Sequence, residues 1–501
     1  MKNKIVSFVM VLAVAIETAV AANLNFAPPR LVPAPQKASW RLTDCASLTN
    51  GVRINLNLAG EHESVRAWYE AHLKNVFGVT ANIKTQTVAR PEGEGDEGYR
   101  IVLGGHAIEI GAKGLTGARY AFQTLRQLMI PMRGTLKVEG WMAPVCDIRD
   151  RPSSSFRGIH LCWFPETKVS FIERCIRLAG YYKMNYVVLE TWGTFRSEKY
   201  PWWGWKTGTM TKAEIARLRG IAQDLGVTLI PQFNIFGHAT MSRGQSGKHA
   251  ALDFHREYQP IFEPYRGWNW CLSNPVACTM IDDLVRELHE AFGNPPYFHI
   301  GCDEANPPSC PVCRAHDYVE LIASNITRVS KLLESRGARA MMWHDMLLKR
   351  GTFSPFYANA GAGEERLLGR LPKSVIICDW FYGNVVNSGY PTFAHFRKAG
   401  YDLLTSPWDV PAGTLAQARA ARAAEALGVL GTTWHHVYKD SLGREFVPTA
   451  SGAWGTGGDV AAFIDHWRQM GWDANVQDSD ETGVVTDQIP SRSNIEFRPG
   501  F

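Results

Sequence analysis

From Phe156 onward the chain repeats one pattern eight times: a short apolar run followed by an amphipathic stretch at helical spacing. The apolar runs are Phe156 to Trp163, Tyr186 to Glu190, Val227 to Asn234, Tyr297 to Cys302, Ala338 to Trp343, Val375 to Trp380, Tyr401 to Ser406 and Gly428 to Trp434. Helical stretches between them include Ser170 to Tyr182, Lys212 to Leu225, Thr279 to Phe292, Tyr318 to Ser335, Phe393 to Lys398 and Leu415 to Leu427, with a last one near Asp459 to Met470. Strands joined by crossover helices must pair in parallel, and a parallel sheet buries both faces, which is why the runs are almost continuously apolar. Eight such units in roughly 320 residues predict a (β/α)8 barrel. An open doubly wound sheet is the alternative. No G-x-G-x-x-G follows any run, so a dinucleotide site has no support.

The segment before the barrel has a different texture. Glu61 to Val76 and Leu115 to Ile130 carry helical spacing, while Tyr99 to Leu103 and Ala107 to Gly111 read as paired strands across Gly104-Gly105. This predicts a small α+β domain over 23–150, ahead of a barrel over 151–475 and a polar, aperiodic tail over 476–501 that is expected to be disordered. Residues 1–22 resemble an export signal: Lys2 and Lys4, an apolar run from Ile5 to Ile16, then Ala19-Val20-Ala21. The run is too short for the about 20 residues a membrane span needs. The expected location is the periplasm or the extracellular space. A formal net charge of +5, from 53 basic and 48 acidic residues, gives no reason to expect a nucleic-acid partner.

In such a barrel the active site gathers at the C-terminal strand ends. Here those ends carry Trp163, Glu190, Asn234, Asp303 with Glu304, Trp343, Asp379 with Trp380, Trp408 with Asp409, and Trp434. The pattern predicts a pocket of carboxylates walled by tryptophan. Indole rings stack on the C–H faces of sugars and carboxylates accept their hydroxyl hydrogens. A further aromatic segment, Tyr200-Pro-Trp-Trp-Gly-Trp205, reads as either a carbohydrate platform or a lid packed on the barrel.

The adjacent acids Asp303 and Glu304 are the expected centre of the chemistry. Cleaving a glycosidic bond needs a proton donor for the leaving oxygen and something to stabilise positive charge at the anomeric carbon. Neighbouring carboxylates suit a division of labour in which Glu304 protonates the glycosidic oxygen while Asp303 holds a substrate group that does the attacking. The alternative is an ordinary surface pair or helix cap. No cofactor is expected. Ten cysteines are present; an exported chain can pair them, so disulfides or free thiols are the first reading. Cys310-Pro-Val-Cys313 also has the spacing of half a zinc site, with Cys302 and Cys271 as further ligands.

Three segments carry a family resemblance. His299-Ile-Gly-Cys-Asp-Glu304 is similar to the His-x-Gly-Gly-Asp-Glu of glycoside hydrolase family 20, the β-N-acetylhexosaminidases. Ile230-Pro-Gln-Phe-Asn-Ile-Phe-Gly-His-Ala239 resembles that family's Pro-Glu-x-Asp-x-Pro-Gly-His, and Asp147 to Arg157-Gly158 its passage from α+β domain to barrel. The resemblance implies retaining, exo-acting hydrolysis of a terminal N-acetylhexosamine, in which the substrate's 2-acetamido carbonyl attacks C1. It implies that Asp303 orients that group and Glu304 serves as general acid and then base. It also implies that Trp343, Trp380 and Trp434 wall the acetamido pocket, that Tyr382 or the Trp408 side donates to the acetamido oxygen, that Asp409 falls near the family's Tyr-x-Asp acid, and that His238 supports the acid. A purely structural His238 is the competing reading.

The departures are equally specific. Where the family has Arg-Gly-x-x-Leu-Asp-x-x-Arg-His, the chain reads Arg157-Gly-Ile-His-Leu-Cys-Trp-Phe-Pro-Glu166. The family's sugar-gripping Arg is therefore Pro165 and its Asp is Cys162. Asn234 replaces another Asp, and Glu190-Thr-Trp-Gly-Thr-Phe-Arg196 stands where the family has His-x-Asp. Glu166, Glu190 and Arg196 are candidates for the missing hydroxyl contacts. A glycan-binding protein without turnover, and a glycosidase that pairs Glu190 with Glu304, are the competing functions.

Overall fold

A computed structural model describes residues 26–458 except 90–94, 106, 134–137, 166, 192, 206–207, 241–250, 265–266, 354–363, 383–388 and 435–441. The segment expected to be an export signal, the polar tail and the helix expected near Asp459 to Met470 lie outside the described residues. The chain divides between Pro152 and Ser153 into two units.

The first unit is one mixed sheet. Its strands are β1 (Lys37–Leu48), β2 (Val52–Leu58), β3 (Ala81–Thr87), β4 (Tyr99–Leu103), β5 (Ala107–Ala112), β6 (Ile130–Arg133) and β7 (Val138–Asp150), in the order β1-β7-β4-β5-β2-β3 with β6 beside β7. As the Gly-Gly turn predicts, β4 and β5 are antiparallel neighbours. Alternate residues of β2 and β4 are fully buried: Ile54, Leu56 and Leu58, then Tyr99, Ile101 and Leu103. Helices His62–His72 and Leu115–Leu128 cover the sheet. Tyr69 of the first donates its hydroxyl to the Ala118 carbonyl of the second at 2.7 Å.

The second unit is a closed, all-parallel barrel, as the eightfold rhythm predicts. Its strands are β8 (Phe156–Trp163), β9 (Tyr186–Thr191), β10 (Thr228–Gln232), β11 (Tyr297–His299), β12 (Arg339–Trp343), β13 (Ile376–Asp379), β14 (Asp402–Thr405) and β15 (Gly428–Thr432). Closure is the pairing of β15 with β8, from Gly428 opposite Phe156 to Thr432 opposite His160. Because side chains alternate along a strand, one parity faces the barrel interior. Phe156, Val188, Ile230, Met341, Trp343, Ile376, Cys378, Trp380, Leu404 and Leu430 form that interior core.

Three differences from the sequence expectation have physical causes. The strand predicted to run to Cys302 ends at His299, because Gly301 (φ 67°) and Cys302 (φ 72°) turn into the left-handed region. The helix predicted from Thr279 starts at Pro275, capped by the Asn274 side chain accepting from the Val276 N–H at 2.9 Å. The helix Leu442–Trp454 was not foreseen, since Gly443, Pro448 and Gly452 read as breakers. Every residue along it except Arg444 is buried, and it packs on the helix Pro411–Ala423 and on β8 and β15. A Cβ on Gly452 would stand 2.8 Å from the Ala418 Cβ, so glycine is what lets the two helices approach.

Candidate functional site

The parity that sends Phe156 and Val188 inward also decides which strand-end residues meet. Continuing each inward series past its strand reaches Cys162, Glu190, Asn234, Asp303, Asp345, Tyr382, Trp408 and Trp434 at one mouth of the barrel. Trp163 and Asp379 fall on the opposite parity. Trp163 is fully buried outside the interior core, and Asp379 lies 3.5 Å from the His344 Nε2 behind the barrel wall. Of the five strand-end tryptophans, then, Trp163 does not line the mouth.

Consecutive residues on a strand point to opposite sides, so an adjacent acid pair would not normally converge. Here it does. Gly301, Cys302 and Glu304 all take positive φ, the last at 48°, which swings the Glu304 side chain back beside Asp303. The His238 Nε2 sits 3.3 Å from an Asp303 carboxylate oxygen and 3.3 Å from one of Glu304. One oxygen of each acid and the imidazole nitrogen lie within 4.8 Å of one another. The two acids differ in setting: the Asp303 side chain is 6% exposed and that of Glu304 is 37% exposed. Asp303 also accepts from the Asn234 Nδ2 at 3.4 Å. Cys302, which stands where the resembled motif has its second Gly, holds its left-handed backbone with a fully buried side chain. Burial, together with the carboxylates of Asp303 and Asp345, pushes its thiol well above the ordinary range.

Two residues that the sequence reading did not single out hold this pair in place. Asp345 accepts the Glu304 backbone N–H at 2.9 Å, and Trp268 donates its Nε1–H to the Glu304 carbonyl at 2.7 Å. The Trp268 ring also rests against His238, with centroids 4.1 Å apart. Asp345 stands two residues beyond the inward-facing Trp343, and that shared parity was a legible signal for it. Gly237 is required beside them, because a Cβ there would collide with the Asp303 carbonyl.

The aromatic wall is continuous. Trp343 and Trp434 lie 5.3 Å apart, Trp380 stacks on Tyr382 at 5.0 Å, and Tyr382 meets Trp408 edge-on at 4.9 Å. Burial, together with the carboxylates of Glu304 and Asp303, raises the Tyr382 hydroxyl well above its usual range, so the phenol stays a neutral donor. Asp409 (φ 57°) sits beside Trp408 and 3.4 Å from Arg444.

Glu190, at the inner end of the mouth, is held in a buried web. Its carboxylate receives the Cys162 thiol at 3.3 Å and the Gln232 Nε2 at 2.8 Å, with the His160 Nε2 at 3.2 Å. Gln232 reaches Asn234 at 3.4 Å, which continues to Asp303. Arg196 is exposed and donates to Thr209, while Glu166 lies outside the described residues. The segment from Tyr200 to Trp205 packs inward: Trp203 and Trp205 are buried, Trp203 lies 5.1 Å from Trp270, and Trp202 stacks on Tyr258 at 3.6 Å.

Among the cysteines none is disulfide-bonded. Cys310 and Cys313 gather with Cys271 and Glu263, while Cys302 is apart from them, its thiol turned to the Ile300 carbonyl at 3.5 Å.

Known proteins match both units. Residues 28–151 match the model for glycosyl hydrolase family 20, domain 2, and residues 181–446 match that for the glycosyl hydrolase family 20 catalytic domain. A β-N-acetylhexosaminidase of Cellulomonas fimi is 24% identical over 347 residues, which are 62% of this chain and 64% of that protein. A β-hexosaminidase of Porphyromonas gingivalis is 25% identical over 283 residues, 50% of this chain and 36% of that protein. The chain therefore spans about a third to two thirds of the length of these curated relatives. In fold it is similar to the Vibrio harveyi exo-β-N-acetylglucosaminidase in complex with N-acetylglucosamine (TM-score 0.65, 17% identity, 89% of this chain and 78% of that one). It is equally similar to the Streptomyces plicatus N-acetyl-β-hexosaminidase (TM-score 0.65, 21% identity, 90% of this chain and 98% of that one). With its catalytic-domain match alone covering more than half of the 501 residues, and with the acid pair set at the mouth of a closed parallel barrel, the chain belongs to glycosyl hydrolase family 20.

Proposed function

We propose that this protein removes terminal β-linked N-acetylhexosamine, with retention, by substrate-assisted catalysis. The observation that carries the reading is the convergence of two adjacent carboxylates on one imidazole nitrogen, at 3.3 Å each. One oxygen of each acid lies within 4.8 Å of the other and of the imidazole nitrogen, so one bound sugar can meet both acids. In the proposed reaction the acetamido carbonyl oxygen bonds to C1 as the glycosidic C–O bond breaks. Glu304, the more exposed acid, gives its proton to the leaving oxygen. The resulting oxazolinium is opened by a water whose proton returns to the Glu304 carboxylate. Asp303, sequestered and bonded to Asn234, orients the acetamido N–H. Tyr382 donates to its carbonyl oxygen, and Trp343, Trp380 and Trp434 wall the pocket. Relatives of this fold named as hexosaminidases, and one solved with N-acetylglucosamine, support the assignment.

The buried state of Glu190 disfavours a glycosidase that pairs Glu190 with Glu304, because Cys162 and Gln232 already donate to its carboxylate and His160 stands against it. The web holds Cys162, Glu190 and Asn234, three positions where the chain departs from the motifs it resembles, and Pro165 stands in place of the sugar-gripping Arg, so recognition of the non-reducing end is proposed to differ.

The test is release of aryl alcohol from β-GlcNAc and β-GalNAc aryl glycosides by wild type and Glu304→Gln. Turnover that falls by at least ~10²-fold in the variant, with inhibition by a thiazoline mimic of the oxazolinium, supports the mechanism. A folded wild type that binds glycans yet turns over neither substrate would replace it with the non-catalytic reading.

A further inference from the structure

We propose that Glu263, Cys271, Cys310 and Cys313 form a structural zinc site that fastens the segment following the acid pair to the loop carrying Trp268. The four donor atoms lie within 4.8 Å of one another, and three of the residues are buried. The Cys271 Sγ stands 3.9 Å from that of Cys310 and 3.7 Å from that of Cys313. Thiolates about 2.3 Å from a tetrahedral zinc stand roughly 3.8 Å from each other, so this spacing fits a shared metal; a disulfide would need about 2.05 Å.

The surroundings complete the donor set. Cys310-Pro-Val-Cys313 forms one short turn in which the Cys313 N–H donates to the Cys310 sulfur at 3.5 Å, and the Ser273 hydroxyl donates to the Cys313 sulfur at 3.1 Å. Such donors stabilise sulfur when it carries charge. Glu263 is 4% exposed and, among the described residues, pairs with no Lys, Arg or His. Its Oε2 is oriented by the N–H groups of Ser309 and Cys310 at 2.7 and 2.6 Å, which aims the carboxylate at the cluster. The Ser309 hydroxyl adds a third donor at 3.1 Å, but a buried carboxylate that meets no cation beside three sulfurs is still costly, and a divalent cation removes that cost. Sulfur-rich tetrahedral donor sets select zinc over magnesium or calcium, and four protein ligands make the site closed and structural.

The ligands come from two loops that already meet beside Glu304. Asn269, two residues before Cys271, exchanges hydrogen bonds with Asn306 at 2.6 and 3.2 Å. The zinc would thus fix the path of the chain leaving Glu304. A zinc bound here would make ligands of Cys310 and Cys313, which are free in the structure, whichever glycoside is cleaved.

The test measures metal in the full chain purified without chelator. About one zinc per chain is expected, released in Cys310→Ser and Cys313→Ser and retained in Cys278→Ser, whose thiol instead faces the Leu272 carbonyl. Because Cys313→Ser alters a buried side chain whatever its role, cobalt added to the metal-stripped wild type gives a second readout: thiolate-to-cobalt charge transfer with tetrahedral visible bands. Zinc affinity should fall by more than the ~10–100-fold typical of outer partners when a ligand is removed. Wild type without metal in which Cys271, Cys310 and Cys313 all react with iodoacetamide, a Cys310–Cys313 disulfide in the unreduced peptide map, or zinc retained by both ligand variants would each overturn the proposal.

Discussion

The Asp345 carboxylate accepts the backbone N–H of Glu304 at 2.9 Å, and Asp345 itself is fully buried. Its partner is the one residue of the acid pair whose backbone is left-handed, a conformation that costs a non-glycine residue of order 1–2 kcal/mol. A charge-assisted bond of this kind offsets that cost. Asp345→Ala should therefore lower kcat for an aryl N-acetylhexosaminide far more than it raises KM, and lower stability by about 1.5–3 kcal/mol. Asp345→Asn, which keeps an acceptor, should lose less on both counts. Equal kcat in wild type and the Ala variant would remove Asp345 from the positioning of Glu304.

Trp268 holds the other side of the same peptide. Trp268→Phe keeps a ring against His238 but deletes the 2.7 Å donor to the Glu304 carbonyl. A loss of about 0.5–1.5 kcal/mol in chemical denaturation is expected, with a drop in kcat that Trp268→Ala exceeds. If both variants retain full kcat, the contact with His238 is packing alone.

Gly301 is constrained twice. Its φ is 67°, and an added Cβ would run into the Asn234 side chain. Gly301→Ala should lower stability by at least ~2 kcal/mol and displace Asn234 from Asp303, so activity should fall with the unfolding midpoint. Gly337, also at positive φ but with nothing near its added Cβ, is the control: Gly337→Ala should cost stability without touching turnover.

Alkaline stability follows from buried phenols. Burial raises Tyr69, Tyr99 and Tyr182 above the usual tyrosine range in the folded chain. The unfolded chain ionises them from about pH 10, whereas the fold keeps them protonated. Their stabilisation is thus complete below about pH 10 and declines above it, by up to ~1.4 kcal/mol per pH unit for each phenol. Thermal unfolding scanned from about pH 9 to about pH 11 should show this fall, with a shallower slope in Tyr69→Phe. A midpoint unchanged across the range would contradict the assignment.

The barrel was legible because its code is coarse. A buried parallel strand needs a run of apolar residues and a crossover helix needs a face, and each of the eight runs met a strand. What escaped was governed by contacts between distant residues. The helix Leu442–Trp454 is specified by what surrounds it, with Gly452 fitted to Ala418, and not by its own propensity. Asp303 and Glu304 could be singled out as a motif, but their convergence depends on Glu304 turning left-handed, held by Asp345 from the turn that follows the next strand. Alternation likewise decides that Trp163 and Asp379 face away from the mouth, although both end a strand as Trp343 and Trp380 do. Cys271 and Cys310 were named together, yet Glu263 carried no local signal, since its partner Ser309 lies 46 residues away.

The web from Cys162 through Glu190, Gln232 and Asn234 to Asp303 has a consequence for how this sequence can change over generations. Each member satisfies a buried neighbour, so replacing one alone leaves a polar group stranded, at about 1–3 kcal/mol. The first-strand Cys and the third-strand Asn are consequently one heritable trait with the second-strand Glu. A lineage could exchange this set for the Asp-bearing motifs it resembles only through concerted substitution, and Cys162→Asp or Asn234→Asp alone should be deleterious.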